Sequence, residues 1–258
     1  MSNLFHPDYP HLRLGKKAKR VDKRTLKFGD YLPPQLPPIP SACDWTGKVS
    51  SFPMLGNDTC GDCTVAGANH LNQVWTSQAS TEIIATTESA IADYSAMTGY
   101  DPADPTSDMG DDLLSVLNYW RQTGINGRKI LAFVEVDITN LAHLKAAIAI
   151  FGGIYGGVQL PKRALQQFSN GERWEDTAPD IIAGGHELPP VSFDTFGPGY
   201  VKVPTWARIQ YASWPWLLMY LDEAYCVLSR DWLNANGVSP SHFNLAQLQA
   251  DLQAIEQT

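Results

Sequence analysis

The sequence lacks the features that would place it in a membrane, secreted or repeat class of protein. No apolar run in the 258-residue chain reaches the ~18 uninterrupted residues that a membrane span requires. Residues 1–6 have no apolar core of the signal-peptide type. No internal repeat is visible. We therefore expect a cytoplasmic protein that does not contact a membrane.

Cysteine is scarce, with four in the chain, and this scarcity excludes a disulfide scaffold. Cys60 and Cys63 form a C-x-x-C pair, a spacing found in zinc sites and in redox motifs. A zinc site needs a second pair of ligands at close spacing, which neither the other cysteines nor the six histidines supply. A thioredoxin-like pair would follow a strand, and the residues before Cys60 have only a weak strand pattern. We expect no metal and no cofactor.

Positive charge is concentrated near the N-terminus. Residues 1–31 carry eight Lys and Arg against three Asp, whereas the remainder carries 11 Lys and Arg against 24 Asp and Glu. A basic arm can bind nucleic acid, but no aromatic or glycine-rich spacing accompanies these charges. We therefore expect no nucleic-acid binding. The arm is expected to contact its own acidic body or a protein partner.

Hydrophobic periodicity changes along the chain from helical to strand-like. A polyproline-type spacer at 32–40 follows the basic residues. Helical spacing then predicts helices at 64–79, 82–97, 110–122, 140–150 and 242–255. Strands are predicted at 130–136, 154–160, 186–193, 200–206 and 223–229. These patterns predict an α+β fold with a basic, proline-rich arm (1–40), a helical lobe (41–128) and a β-rich lobe (129–258).

The most informative stretch is the polar turn Gly-Asn-Asp-Thr-Cys-Gly-Asp-Cys-Thr at 56–64, which leads directly into a predicted helix. A cysteine at a helix N-terminus, here Cys63, is close to the positive end of the helix dipole, which favours the nucleophilic thiolate. Gly184-Gly185-His186 opens an apolar segment in the other half of the chain. A thiol and an imidazole contributed by two lobes would form a catalytic pair. The alternatives are that Cys63 is only a small buried hydrophobe and His186 a core histidine; His70, on the same predicted helix as Cys63, is expected to be structural.

With these residues the chain resembles papain-like cysteine peptidases, in particular compact bacterial members with the motif Gly-Asn-Asp-Thr-x-Gly-Asp-Cys-Thr. Further matches occur in the family's order over about residues 40–235: Asp44-Trp45, Asp108-Met109-Gly110-Asp111, Gly185-His186 and Thr205-Trp206. The resemblance implies a two-lobe fold, with a helical N-terminal lobe, a β-barrel-like C-terminal lobe and the active-site cleft between them. It also implies hydrolysis of peptide or amide bonds through an acyl-enzyme.

The resemblance assigns catalytic roles to three residues. Cys63 would attack the acyl carbon, and His186 would hold the thiol proton and pass it to the leaving amine. The Asn57 side chain and the Cys63 backbone N–H would stabilise the oxyanion. Most family members have Gln at the position of Asn57, and we expect the shorter side chain to keep the same role.

The resemblance also assigns four residues to substrate binding. Gly110 and Asp111 lie in the loop that holds the substrate backbone, and Trp206 would shield the histidine from water. Glu187 follows the histidine, where the family lines its main specificity pocket. We hypothesise that its carboxylate selects a basic substrate group; the alternative is a solvent-facing side chain on a distorted edge strand.

The sequence departs from the family pattern at the position that orients the histidine. An Asn normally stands two residues before the Trp, and Pro204 occupies that position. The Thr205 hydroxyl or a backbone carbonyl would then have to orient His186. The arm is too short and too proline-rich to form the family's helical pro-region, so we do not expect zymogen control of the usual type. Cys60 has the spacing of a half-cystine but no evident partner, and we expect it to be free.

Three other functions fit parts of the sequence. An acyltransferase would use the same Cys–His pair but pass the acyl group to an amine. A non-catalytic binding protein on a degenerate peptidase fold would explain Pro204 and the two prolines after Glu187. A redox protein would use Cys60 and Cys63.

Overall fold

Seven α-helices and eight strands lie in residues 6–32, 38–78 and 81–235, the part of the chain that this computed structural model describes. The helices are α1 (Cys63–Gln78), α2 (Thr87–Thr98), α3 (Leu113–Gln122), α4 (Leu141–Phe151), α5 (Lys162–Asn170), α6 (Trp214–Tyr220) and α7 (Arg230–Ala235). The strands are β1 (Cys43–Asp44), β2 (Ile130–Glu135), β3 (Tyr155–Pro161), β4 (Ile182–Leu188), β5 (Ser192–Phe193), β6 (Tyr200–Thr205), β7 (Arg208–Ser213) and β8 (Leu221–Ser229). Short 3₁₀ turns occupy Phe28–Tyr31 and Pro105–Ser107.

The first three α-helices form the helical lobe, and caps decide where two of them begin. Thr86 and Ser89 form a capping box, so α2 begins at Thr87 and not at the predicted residue 82. Asp112 accepts the amide of Ser115, so α3 begins at Leu113, three residues after the predicted start. Thr, Ser and Asp side chains can accept hydrogen bonds from free backbone amides at the start of a helix, so they are favoured at caps and not in helix interiors.

The second lobe is built on an antiparallel four-stranded sheet with the order β2-β8-β3-β4. Strands β6 and β7 form a separate hairpin, and β1 pairs with β5. The predicted strand 186–193 is two strands, because Pro189 and Pro190 have no N–H to give to a ladder. Helices α5, α6 and α7 and strands β1 and β7 were not predicted. The α+β class is confirmed, with helices concentrated first and strands second.

Two hydrophobic clusters form the interior. One surrounds α1 and α3 and includes the stacked rings of Trp75 and Trp120. The other surrounds the four-stranded sheet, α4 and α5. Four residues of the N-terminal arm, Leu12, Leu14, Phe28 and Tyr31, are buried in this second cluster. The arm is therefore packed against the body over much of its length.

Two predictions fall wholly or partly outside the described residues: the closing helix at 242–255 and the middle of the proline-rich spacer, 33–37. The boundaries of the arm and the two lobes stay a prediction. Among the described helices, none combines the length and the apolar character needed to cross a membrane.

Candidate active site

Cys63 is the first residue of α1, a helix that is buried almost throughout its length. The turn before it depends on Gly56, whose φ of +100° disfavours any side chain and whose added Cβ would lie a tight 3.0 Å from Ile91 and 3.1 Å from the Asp62 carboxyl. The Gly56 carbonyl accepts the amides of Thr59 and Cys60 and closes the turn. The sequence thus fixes the cysteine at the mouth of the helix, where backbone N–H groups are unpaired within the helix.

The Cys63 sulfur is enclosed, and only 2% of the residue is exposed. It accepts a hydrogen bond from the backbone N–H of Gly15 at 3.3 Å. The backbone N–H of Glu187 also lies close enough to favour the thiolate. Burial, with smaller contributions from the Glu187 and Asp62 carboxyls, nevertheless raises the pKa of the thiol to about 12. In this enclosed arrangement Cys63 is a neutral thiol.

His186 lies on β4 and is held by two neighbours from the β6–β7 hairpin. Its Nε2 is 2.8 Å from the Thr205 hydroxyl, one of the two partners suggested by the sequence. Its ring stacks on Trp206 with centroids 4.2 Å apart and an interplanar angle of 17°. Nδ1 is buried without a hydrogen-bond partner. One ring nitrogen is thus anchored, while the other remains available for a proton.

The hairpin turn that carries these two neighbours is strained. Trp206 and Ala207 both have positive φ, 42° and 62°, in a two-residue connection between β6 and β7. Such turns normally use Asn and Gly, because other side chains disfavour this region. The large Trp is held there by its contact with His186 and by a bond from its Nε1 to the Arg13 carbonyl at 3.3 Å. Strained residues of this kind cluster at functional sites.

His186 is neutral in the structure. Burial lowers its pKa to about 3, with a smaller contribution from His70. His70 is itself buried, is bonded to the Pro53 carbonyl at 2.9 Å, and has its pKa lowered to about 4 by burial. The structure therefore places His70 in the core. No hydrogen bond joins Cys63 to His186 among the described residues, and the Glu187 amide is the link that brings β4 to the sulfur.

Asn57 lies in the turn before Cys63 and is buried. Its side-chain N–H donates to the Cys60 carbonyl at 3.3 Å. It also lies beside the Asp62 carboxyl and opposes the rise in that group's pKa caused by burial. An oxyanion role for Asn57 requires its second N–H and stays a prediction.

Gly110 and Asp111 lie close to the cysteine, and they hold the protein's own backbone. The Asp111 N–H donates to the Gly15 carbonyl at 2.8 Å, and the Asp111 carbonyl accepts the Lys17 N–H at 2.9 Å. A Cβ at Gly110 would lie 2.1 Å from the Gly15 carbonyl oxygen, so this approach requires glycine. The loop thus binds an extended peptide segment.

Glu187 does not face the cleft. Only 2% of the residue is exposed, and its carboxylate packs against Gly67 of α1, where an added Cβ would overlap it. Burial raises the pKa of this carboxyl well above its usual range. Neither the substrate-facing role nor the solvent-facing alternative fits this location, and both predictions for Glu187 are wrong.

The segment 13–17 of the arm crosses the site between the two lobes. The Arg13 N–H donates to the Asn57 carbonyl at 3.2 Å, and the Lys16 N–H donates to the Gly185 carbonyl at 3.1 Å. At its centre, a Cβ on Gly15 would lie 1.6 Å from the Gly61 carbonyl oxygen. The sulfur is therefore sealed by this segment rather than by the hydrophobic core. The arm is not the family's helical pro-region, yet it does occupy the site.

The side chain of Lys16 fills a pocket beside this segment. Its ammonium is fully buried and lies 2.9 Å from both the Asp222 and the Glu223 carboxylates at the start of β8. Its Nζ also donates to the Lys17 carbonyl at 3.2 Å. Other ion pairs join the arm to the body away from the cysteine, between Lys19 or Lys27 and Glu135 and between Arg20 and Asp112.

Gly15, Lys16, Asp222 and Glu223 are site residues that the sequence did not predict. Two signals were present: a glycine inside a basic, non-helical stretch and an adjacent acidic pair beside a predicted strand. All four cysteines are free, with Cys60, Cys63 and Cys226 buried. Among the described residues no group of three His, Cys, Asp or Glu side chains could hold a metal ion.

Known proteins resemble this chain in fold but not in sequence. No protein-family model matches the chain, and no curated protein is similar to it. Xylellain, a cysteine protease from Xylella fastidiosa, is similar in structure with a TM-score of 0.64 and 13% identity over 84% of this chain and 96% of that chain. Procathepsin L 3 of the Tenebrio molitor larval midgut has a TM-score of 0.58 and 11% identity over 85% and 77% of the two chains.

A cysteine protease of Carica candamarcensis, solved with E-64, has a TM-score of 0.53 and 14% identity over 74% of this chain and 99% of that chain. Likeness at such low identity concerns the fold alone. The fold of this chain is that of papain-like cysteine proteases.

Proposed function

We propose that this chain is a thiol hydrolase of papain type, related to the compact bacterial members, which cleaves peptide or amide bonds through an acyl-enzyme. Cys63 is the nucleophile and His186 is the general base and acid. The Asn57 side chain and the Cys63 backbone N–H are proposed to stabilise the oxyanion. The four free cysteines suit a reducing compartment, and we propose a cytoplasmic location.

One observation carries this proposal: the environment of His186 is arranged around a single unoccupied nitrogen. Thr205 fixes Nε2 and Trp206 fixes the ring plane, so Nδ1 is the atom left for proton transfer. A core histidine with a purely structural role would use both nitrogens, because burying an unbonded polar atom is unfavourable. The hydroxyl of Thr205 takes the orienting role for which Pro204 has no group.

Acylation uses the pair in its charged form. The Cys63 thiolate attacks the carbonyl carbon, and the negative charge moves to the carbonyl oxygen, where the two N–H donors stabilise it. The carbon–nitrogen bond then breaks while the His186 imidazolium gives its proton to the leaving nitrogen. An amine departs, and Cys63 is left as a thioester beside a neutral imidazole.

Deacylation restores the starting state. Water attacks the thioester carbon, and His186 accepts one of its protons. The carbon–sulfur bond breaks, which releases a carboxylic acid and returns the thiolate and the imidazolium.

The enclosed arrangement is a latent form of this site. The sulfur faces the Gly15 N–H and not a carbonyl carbon, so the arm is not placed as a substrate. With the arm bound, burial also keeps the thiol and the imidazole neutral. Catalysis therefore requires segment 13–17 to leave, which admits water and lets the helix dipole favour the thiolate.

Alkylation mapping by mass spectrometry tests the proposal on the full chain carrying Gly15→Ala. An added methyl group at residue 15 cannot fit against the Gly61 carbonyl, so this variant displaces the segment. We expect iodoacetamide to modify Cys63 much faster than Cys226, and we expect Cys63→Ser to abolish hydrolysis of casein or peptide amides.

Cys60→Ser separates hydrolysis from redox chemistry, because it keeps the proposed nucleophile and removes the second thiol. Hydrolysis should be retained in this variant. Equal labelling of Cys63 and Cys226 after displacement of the arm, together with no hydrolysis, would favour a non-catalytic binding protein.

A further inference from the structure

The pocket around Lys16 combines full burial with two negative charges. Glu223 is completely buried, and its carboxylate lies 2.9 Å from the Lys16 ammonium. Asp222 is held in place by Gln159, whose side-chain N–H donates to it at 2.6 Å. Tyr225 donates its hydroxyl proton to the other oxygen of Glu223 at 2.9 Å. Both carboxylates are thus fixed by body residues that do not belong to the arm.

The space for the lysine stem is created by a glycine on the body. Gly157 of β3 pairs with Glu223 on one neighbouring strand and with Glu187 on the other. A Cβ at Gly157 would lie 2.0 Å from Lys16 Cε. A strand-interior glycine commonly marks a close approach of this kind. The body therefore carries a preformed slot for a long cationic side chain.

The slot lies next to the sulfur along an extended backbone. The residue before Lys16 donates its N–H to Cys63, and Lys16 itself donates its backbone N–H to Gly185, the residue before His186. An extended peptide held by the same backbone groups would place one side chain in this slot.

We propose that the slot formed by Gly157, Asp222 and Glu223 recognises a lysine or arginine side chain of the substrate, and that Lys16 occupies the substrate's place in the latent form. This inference rests on the proposed function, because it assigns the substrate class of the same site. Under this inference Glu223 selects the cationic side chain, a role that the sequence suggested for Glu187.

Because Glu223 is buried, its preference for a cationic side chain after the arm departs should be stronger than that of an acid on the protein surface. Departure of the arm leaves the Glu223 carboxylate in a slot that water can enter, with its counter-charge gone, and a side chain that enters the slot expels this water. An unpaired buried charge is highly unfavourable, whereas a paired and hydrogen-bonded one is tolerated. An apolar side chain entering the slot would leave the carboxylates unpaired, and an acidic one would add repulsion. The slot therefore discriminates by charge as well as by length.

The test measures peptide binding separately from hydrolysis. The protein is the full chain with Gly15→Ala and Lys16→Met. In this variant residue 15 no longer fits against the Gly61 carbonyl, and residue 16 has no ammonium group. The probes are an acetylated peptide with the sequence of residues 11–20 and the same peptide with Lys16→Met. Each is used to protect Cys63 from iodoacetamide. We expect the lysine peptide to protect at a concentration at least ~10-fold lower, as for loss of a hydrogen bond to a charged group.

Glu223→Gln should abolish this difference, since it keeps an oxygen for the Tyr225 hydroxyl and removes only the charge. Glu172→Gln, at an exposed acid, is the matched control and should preserve it. If Glu223→Gln fails to fold, Gly157→Ala provides a second test, because its methyl group fills the slot while both carboxylates remain. Equal protection by both peptides, or a lysine preference that survives both variants, would overturn the inference.

Hydrolysis then separates the two proposals. Cleavage of peptide amides without any preference for a basic side chain would remove the charge-selecting slot and leave the hydrolase in place. Selective protection by the lysine peptide in a protein that cleaves no amide would support the slot and remove the hydrolase.

Discussion

The Cys63 sulfur is enclosed by two regions that differ in how they are held. On one side is α1, in which 15 of 16 residues are buried within the hydrophobic interior. On the other is the arm segment 13–17, which belongs to no α-helix or strand. It contacts the site through single backbone hydrogen bonds and the ion pairs of Lys16, and its one core side chain is Leu14. The helix is fixed by apolar packing, whereas the polar contacts of the segment around the sulfur are ones that another peptide can make.

This difference indicates which side can move. Backbone hydrogen bonds exchange with water or substrate at a small net change in free energy, whereas the buried ion pair of Lys16 is best replaced by another cation. The arm is nevertheless anchored, because burial of Leu12 and Leu14 stabilises it by about 1.5–3 kcal/mol per side chain. Changes on the body side of the sulfur should therefore lower its reactivity, and changes on the arm side should raise it.

The largest expected effect is on the body side. In the Gly15→Ala background, His186→Ala removes the group that holds and transfers the proton. We expect kcat/KM for amide hydrolysis to fall by ~10²–10⁴-fold. Steady-state hydrolysis of a fluorogenic peptide amide measures it. A variant that keeps more than half of the activity would show that His186 is not the base, and would contradict the assignment of the catalytic groups to the body side.

The next largest effect comes from a change in the arm, and it should raise the reactivity of Cys63 instead of lowering it. Gly15→Ala overpacks against the Gly61 carbonyl, a type of change that destabilises by about 1–3 kcal/mol. We expect the rate of Cys63 alkylation at neutral pH to rise by ~5–150-fold, the population equivalent of that energy.

Gly29→Ala is the matched control in the same arm, because its added Cβ meets the body only at an ordinary 3.4 Å, from His143. This variant should leave the alkylation rate unchanged. An equal rise in both variants would mean that general loosening of the arm, and not relief of the Gly15 contact, exposes the sulfur.

The pH dependence of alkylation should differ between the protein with the arm in place and the protein with the arm displaced. With the arm in place, burial and the carboxyls of Glu187 and Asp62 raise the pKa of the Cys63 thiol to about 12, so the rate should keep rising with pH up to that value. With the arm displaced, the pKa should fall below the ~8.5 of a free thiol, because the helix N-terminus favours the thiolate. The rate should then reach a plateau near neutral pH. Superimposable profiles between pH 5 and 10 would contradict this expectation.

The smallest effect concerns orientation of the imidazole. Thr205→Val keeps the side-chain shape and removes the hydroxyl that bonds Nε2 at 2.8 Å. We expect hydrolysis in the Gly15→Ala background to fall about 5–10-fold, equivalent to one neutral hydrogen bond. Thr205→Ser keeps the hydroxyl and should retain the activity, so parallel losses in both variants would indicate that packing matters more than the bond.

The body side could be predicted from the sequence because its signals are local. The glycine-bearing turn before Cys63, the apolar spacing of α1 and the glycine after α4 each report on a few neighbouring residues. Gly152, for example, ends α4 with a φ of +74°, as a helix-terminating glycine should.

The arm side could not be predicted because its contacts have no side-chain signature. Segment 13–17 binds mainly through backbone groups, which every residue except proline carries in the same form. Lys16 is one of eight basic residues in 1–31, and only the glycine before it distinguishes it from the others. The error at Glu187 has a related cause, since only the packed structure shows that Gly67 makes room for its carboxylate inside the protein.

The covalent attachment of the arm to the body affects how fast segment 13–17 returns to the cleft after it leaves. Because segment 13–17 belongs to the same polypeptide, it returns to the cleft at an effective concentration in the millimolar range, whatever the concentration of protein. In the proposed latent form, dilution would therefore not cause activation, as it would for an enzyme released from a dissociable inhibitor. Activation would instead be a first-order opening, and a substrate would compete with a segment that never diffuses away.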